Sequence, residues 1–575
     1  MNRNSENHFQ IGPRVDIQRS TFKMSQDLRT SFNTGLLIPF FVDSDIMPGD
    51  TYQVDGTFVI RGTTPIAPTL DNAYADIYWF FDKNNYMWTH WKEFMGENKT
   101  GDWAQTTEYT IPQIKFGYVN NGLHSILKGD LADYFGLPLF TAQSGANTPT
   151  IEVNALPFRS YVRIWNNFFR NQNLQPPQYE RTNDTTWYTI PDTSIDGTND
   201  SWLYVPTTPS SASIQRHPAP VNKYADYFTT CNPSPQKGPA VTQPIGESAP
   251  VKILSTNTFG DIDNATLLLK HSTNGAAANY SNNLLGIAGS ALDAYGGSVG
   301  ADTLGADFTI ANVIEADLSN AVAATINAQR LAFATQRIYE KSVFGTRYYL
   351  ELIPNFFGVQ VPGAATDLPE YLGGCRIPIT QNQVAQTSST DAVTPQGNVA
   401  AFSLTVNGGR QFTKSFTEHG VLMGLICVRT DNSYDQGIER QWSRKRKLDY
   451  YWPQLAHLGE QAVLNKEIYA DGTAYDEQVF GYQERWAEYK YKPNKNTGAF
   501  HTTYATSLDF WHYGDNYSSL PVLQSSWALS NKDAVDRTLA VTSATEDQWL
   551  MNARINIKAT RPMPMYSMPG LIDHY

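Results

Sequence analysis

The run ERQWSRKRKLDYYWP, residues 439–453, sets Arg440, Arg444, Lys445, Arg446 and Lys447 among Trp442, Tyr450, Tyr451 and Trp452. Cations follow phosphates, and rings stack on bases at about 1–3 kcal/mol each, so this mixture is the chemistry of a single-stranded nucleic-acid surface. Arg440, Trp442, Arg444, Lys445, Arg446 and Lys447 are the residues that reading selects. The same run also reads as an exposed basic turn, or as an interface strip facing acidic neighbours. The formal net charge is −12, so any contact with a polyanion is local or assisted by a basic partner.

Other reactive residues are thinly spread. No GxxxxGK[ST] loop and no HxxxH pair occurs. His419 stands beside Glu418 in FTEHGVLMG, but no nucleophile or third group accompanies them. Asp43, Asp45 and Asp50 in FVDSDIMPGD lack the EF-hand spacing, and carboxylates beside Pro-Gly usually cap turns. Cys231, Cys375 and Cys427 are far apart and odd in number, which fits buried thiols in a reducing compartment. The expectation is a protein with no catalytic site, no metal and no cofactor.

The elements that must hold the patch read as short strands and a few helices. GLLIPFFV, the breaker MPGD and TYQVDGTFVIRG form a strand, a turn at Pro48-Gly49 and a strand. In the last, Tyr52, Val54, Phe58 and Ile60 share one parity, as a half-buried strand requires. VLMGLICVRT reads as a fully buried strand. Residues 71–97 then crowd Trp79, Phe80, Phe81, Trp88, Trp91 and Phe94 together, and Met87, Trp88, Trp91, Phe94 and Met95 have helical spacing with Gly96 as a stop. Another short helix falls at FRSYVRIWNNFF, grouping Ile164, Trp165, Phe168 and Phe169. With only Lys83 and Lys92 beside them, the rings of 71–97 have too few cations for base stacking. Packing in a core and a subunit interface is the reading for these rings, Trp165 and Phe168 included.

SNAVAATINAQRLAFATQRIYEKS is the clearest helix; Val322, Ile326 and Phe333 share one side, and Leu331 and Ile338 lie nearly opposite. Such a helix is wedged between partners. Residues 239–319 are rich in Gly, Ala, Ser and Asn with scarcely a basic residue, and read as an insertion or surface loop. A smaller variable loop covers 180–215.

The totals agree with a chain made to be covered. Charged residues are 17% and aromatics 13%, against about a quarter charged in ordinary soluble proteins. Interfaces favour aromatics and deplete Lys, Glu and Asp. The N-terminal MNRNSENHFQIGPRVDIQRS has no apolar region of the signal-peptide kind, and no apolar run is long enough for a bilayer. Cytoplasmic synthesis without membrane insertion is the expectation. The fold class that emerges is mainly β, a sandwich or jelly roll with helices in long connections.

Several stretches together resemble the major capsid proteins of the Microviridae, gokushovirus type. They include GLLIPFFVDSDIMPGDTY, TPIAPTLDNAYADIYWFF, WTHWKEFMGE, LPFRSYVRIWNNFFRNQNLQ, ADYFTTCNPSPQKGPAV, TINAQRLAFATQRIYEK, YYWPQLAHLGEQAVLNKEIY and the tail RPMPMYSMPGLIDHY. They run in the family's order and cover most of the chain outside the two variable regions. The resemblance implies one capsid domain over 1–575, an eight-stranded antiparallel jelly roll with long inter-strand insertions. It implies a self-assembling T=1 icosahedral shell around circular single-stranded DNA, built in the bacterial host cytoplasm. It makes 239–319 a three-fold surface protrusion with a part in attachment to a host surface receptor. The implied partners are further copies of the chain, a small basic DNA-binding virion protein and a minor pilot protein. The rival function is a β-sandwich glycan-binding protein or glycoside hydrolase, which requires exposed Trp, paired carboxylates and normally export.

Overall fold

The computed structural model describes residues 17–566, apart chiefly from 102–106, 145–148, 190–212, most of 242–325, and the loops 344–348, 362–366 and 388–398. It is mainly β, with antiparallel sheets and few helices. Eight strands make the centre: β1 (Ser20–Phe32), β2 (Ile38–Ile46), β3 (Thr51–Gly62), β4 (Ala73–Lys83), β5 (Glu370–Ile379), β6 (Thr405–Ser415), β7 (Gly420–Thr430) and β8 (Trp549–Arg561). One four-stranded sheet has the order β1-β8-β3-β6 and the other β5-β4-β7-β2. All pairings within them are antiparallel, and the first strand pairs the eighth, the second the seventh, the third the sixth and the fourth the fifth.

A sandwich core lies between the two sheets. Tyr52, Val54, Phe58 and Ile60 are buried while the alternate residues of β3 are not, so the period-two reading holds. Phe40 of β2 meets Phe58 of β3 edge-on at 5.4 Å and Trp79 of β4 at 5.2 Å, joining both sheets. Such aromatic pairs add about 0.5–1.5 kcal/mol beyond area burial. Gly424 of β7 stands where a Cβ would come within 2.7 Å of the Phe40 ring.

The outer face of the second sheet is covered as well. Val421, Met423, Leu425 and Cys427 of β7 join a second apolar cluster with Leu156, Phe158, Tyr161, Val162 and Ile164 of helix α1 (Leu156–Ile164). That double cover explains why VLMGLICV lacks alternation: every residue is buried. α1 continues as a π turn, Trp165–Phe169, so the short helix read there is present.

The helix read across Met87–Met95 is not continuous. Asn84–Met87 and Trp91–Phe94 are two single turns separated by an extended Trp88 at φ −146°. The indole Nε1 of Trp88 donates to the Asp184 carboxylate, and this tertiary bond holds the residue out of a helix. Gly96 at φ 104° does end the second turn.

Residues Gln236–Phe344 form a separate compact unit. Its described strands are three nested antiparallel pairs: Val251–Leu254 with Val313–Ala316, Leu269–His271 with Phe308–Ile310, and Leu284–Ala288 with Ala291–Tyr295. The nesting gives regular structure to part of what composition read as loop. Helix α2, Ile326–Val343, follows, and its Gln336 Nε2 donates to Gln236 Oε1 at 2.6 Å. Ile326, Leu331, Phe333 and Ile338 on α2 are all exposed; Val322 lies outside the described residues.

Candidate nucleic-acid interface

The basic run is carried by one helical turn, Arg440–Ser443, and a 3-10 turn, Lys447–Asp449. A third apolar cluster gathers Tyr227, Phe228, Tyr434, Phe480 and Trp527 from segments far apart in the chain, and its Tyr227, Phe228 and Tyr434 border the same groove as Arg440 and Trp442. Asp449 fixes the bend between the turns, its Oδ2 accepting the backbone N–H of Lys445 at 2.8 Å and of Arg446 at 2.7 Å. Those two bonds lower its pKa below the ordinary carboxylate value. Gly437 precedes the run where a Cβ would lie 2.1 Å from the Glu467 carbonyl oxygen, so only glycine lets the two segments close.

The six residues selected by sequence divide into two groups. Arg440 and Arg444 are turned to the protein. Arg440 Nη1 donates to the Ala462 carbonyl at 2.8 Å and to Glu467 Oε1 at 3.2 Å. Glu467 is buried, also accepts the Tyr227 hydroxyl at 2.9 Å, and has its pKa raised by desolvation. Arg444 lies 3.5 Å from Glu488 Oε1 and 4.4 Å from the Tyr489 ring. These arginines hold the patch together, since guanidinium serves paired and stacked positions well.

Trp442, Lys445, Arg446 and Lys447 face solvent, Trp442 with 74% of its surface exposed. Lys445, Arg446 and Lys447 form no ion pair among the described residues. Lys447 Nζ is 4.9 Å from the Trp452 ring, whose Nε1 donates to the Lys447 carbonyl at 3.0 Å.

A second segment, absent from the sequence reading, completes the surface. Tyr489, Lys490, Tyr491, Lys492 and Lys495 are all exposed beside the first run. The Tyr451 N–H donates to the Tyr489 hydroxyl at 3.3 Å, tying the two segments. The alternation Tyr-Lys-Tyr-Lys at 489–492 was the available signal. Lys490 pairs with Glu484 and Lys495 with Glu439, each at 2.5 Å, whereas Lys492 has no such partner among the described residues. Between the segments lies a groove of about 560 Å³, lined by Arg440, Trp442, Arg444, Tyr489, Tyr491 and Lys492 among others. The exposed rings Trp442, Tyr489 and Tyr491 stand there with Lys492 as the unpaired cation among the described lining residues, and the lining also holds Asp435, Glu439, Glu467 and Glu488. Lys445, Arg446 and Lys447 lie outside the groove, on the exposed surface that adjoins it. Rings and cations on one surface are the arrangement that takes bases and phosphates together.

The other ring residues take different places. Trp79 and Phe81 are buried in the sandwich core, Phe80 and Trp88 in the second cluster with Trp165. Trp165 Nε1 donates to the Pro220 carbonyl at 2.9 Å. Trp91 is half-buried, and Phe94 and Phe168 are 38% and 44% exposed. Glu418 pairs with Lys83 at 3.1 Å and does not orient His419, whose pKa burial lowers. Asp43 and Asp50 cap their turn through the N–H groups of Asp45 at 2.9 Å and Met47 at 3.0 Å.

Sandwich, buried rings and patch belong to a chain that matches the capsid protein (F protein) family over residues 12–571. The chain is a member of that family. It is 35% identical to capsid protein VP1 of Chlamydia phage 1, over 98% of both chains. It is 34% identical to capsid protein VP1 of Bdellovibrio phage phiMH2K, over 100% of this chain and 99% of that one. Capsid protein VP1 of Spiroplasma virus 4 is 35% identical over 96% of each. The function is therefore structural: a phage major capsid protein of Microviridae type, placed in the virion capsid and assembling into it. Among the described residues no helix is long and apolar enough to cross a membrane.

Proposed function

We propose that copies of this chain close into a T=1 icosahedral shell around circular single-stranded DNA, with the ring-and-cation surface of 440–452 and 489–495 turned to the packaged strand. The observation that carries the DNA contact is that surface: Trp442, Tyr489 and Tyr491 exposed beside Lys445, Arg446, Lys447 and Lys492, in a chain of net charge −12. Rings and cations so placed serve bases and phosphates, whereas the net charge of the chain gives no global attraction to a polyanion, so contact is local. The eight strands form the jelly roll of the shell; pairing of first with eighth through fourth with fifth is the order of one long hairpin wrapped over itself, which supports this reading. A small basic virion protein neutralises DNA that an acidic wall cannot, and a minor pilot protein joins the particle. The unit around 239–319 is the outward protrusion and meets the host receptor. Assembly takes place in the bacterial cytoplasm.

The test is the triple reversal Lys445→Glu, Arg446→Glu, Lys447→Glu, with nuclease-protected DNA per particle as readout. Arg444 is left in place because it is paired with Glu488. Particles are expected with clearly less protected DNA and an unchanged melting temperature of the free chain. Normal filling would remove the patch from the account.

A further inference from the structure

The outward face of the β1-β8-β3-β6 sheet has a charge pattern that folding alone does not favour. The register places Lys23, Ser25, Asp27 and Arg29 of β1 opposite Lys558, Asn556, Arg554 and Asn552 of β8. On the far side of β8, these face Gln53, Asp55, Thr57 and Val59 of β3, and Leu550 faces Arg61. Arg410 of β6 stands opposite Asp55. Six cations thus share the face with two carboxylates. Arg554 and Asp27 are 3.8 Å apart and Arg410 and Asp55 3.5 Å, which accounts for both acids. Lys23, Lys558, Arg29 and Arg61 are exposed and in no ion pair among the described residues.

Lys23 and Lys558 are direct cross-strand neighbours. Like charges so placed destabilise a sheet by a few tenths of a kcal/mol up to about 1 kcal/mol. A chain with 55 acidic and 43 basic residues has acids enough to avoid that pairing, and here it does not. Asn, Ser, Gln and Thr fill most remaining positions, and no aromatic ring projects from this face. A polar, ring-free plane with unpaired cations on three adjacent strands fits a phosphodiester backbone and offers nothing to a base.

We infer that this sheet face is a second nucleic-acid surface, one that holds the packaged single strand through its phosphates alone. The identity of the polyanion rests on the container reading above; the surface itself rests on the strand register. It differs in kind from the ring-and-cation surface of 440–452 and 489–495. There a base stacks, and here Lys23, Lys558, Arg29 and Arg61 engage phosphates whatever the base.

The purified full chain is titrated with two fluorescent probes of equal length, an oligothymidylate and an abasic oligodeoxynucleotide, across a salt series. The variant Lys23→Gln, Arg29→Gln, Arg61→Gln, Lys558→Gln is compared with Lys445→Gln, Arg446→Gln, Lys447→Gln, Trp442→Ala. The sheet variant is expected to lose about tenfold or more on both probes alike, with the salt slope reduced by about 2–3 at roughly 0.7 per phosphate contact. The variant of the ring-and-cation surface is expected to lose more on the intact probe than on the abasic one. Lys23→Gln alone is expected to hold or raise the melting temperature without DNA, the sign that its charge serves a ligand and not the fold. Unchanged affinity and slope in the sheet variant, or a loss confined to the intact probe, overturns this inference and leaves the container reading standing. Failure of the wild-type chain to bind either probe at low salt overturns this inference together with the DNA contact proposed for 440–495.

Discussion

Asp82 lies wholly buried at the end of β4, with Arg163 Nε 3.0 Å from its Oδ2. The same guanidinium reaches Glu180 at 3.3 Å and the Asp367 carbonyl at 2.6 Å, so one side chain ties three segments to the sandwich. Burial outweighs Arg163 and pushes the Asp82 pKa from 3.8 up to about 6. The folded chain therefore binds this proton more tightly than the unfolded chain does. Its stabilising contribution is full below the unfolded value and is lost as pH rises through about 6. Asp82→Asn is expected to flatten the fall in melting temperature between pH 4 and 7; an unaltered slope in melts across that range would refute the assignment. The candidate site was legible only in part at this scale. Six residues in one run had one composition, yet Arg440 and Arg444 are occupied by Glu467 and Glu488, over twenty and forty residues along the chain. No local pattern reveals which cation a distant carboxylate will take. Lys492 was missed because its partners in the surface lie across a fold contact, although the Tyr-Lys alternation was in plain sight.

At the scale of elements, β4 shows what the rings of 71–97 do. Successive side chains go to opposite faces, so Trp79 and Phe81 fill the sandwich core while Phe80 packs on Phe168 at 4.8 Å in the second cluster. A strand covered on both faces needs apolar bulk on each, which accounts for the density of rings at 78–81 without a ligand. Trp79→Ala is expected to cost about 3–5 kcal/mol in urea unfolding. Phe168→Ser, on the exposed side of its π turn, is expected to cost under about 1 kcal/mol and to lower particle yield instead, as measured by gel filtration. Equal stability losses in the two would show that Phe168 belongs to the core. β3 and β7 were readable because alternation and a solid apolar run each have one physical meaning. Met87–Met95 misled because two separate turns reproduce helical spacing, and the bond from Trp88 to Asp184 is a long-range fact. α2 was placed by its own pattern, since eighteen residues of helix contain enough turns to be distinct.

The molecule as a whole combines sparse charge, many rings and two local cationic surfaces on an acidic body. Membership in the capsid family explains the first two: flanks covered by identical neighbours need rigid apolar area and few hydrated ions. The family order of its segments was readable from end to end, whereas the nested strand pairs near 251–316 were not, because Gly, Ala, Ser and Asn carry little periodic signal. Symmetry and partner contacts arise only in the assembled particle. The most direct measurement is a cryo-electron-microscopy reconstruction of particles assembled from this chain with its DNA. It is predicted to contain a closed icosahedral shell with one copy per asymmetric unit, Phe168 and Phe94 within copy-to-copy contacts, and density for single-stranded DNA against Trp442 and Tyr489. A chain that stays monomeric under every assembly condition, or a shell whose DNA density lies only where this chain presents acids, would contradict it.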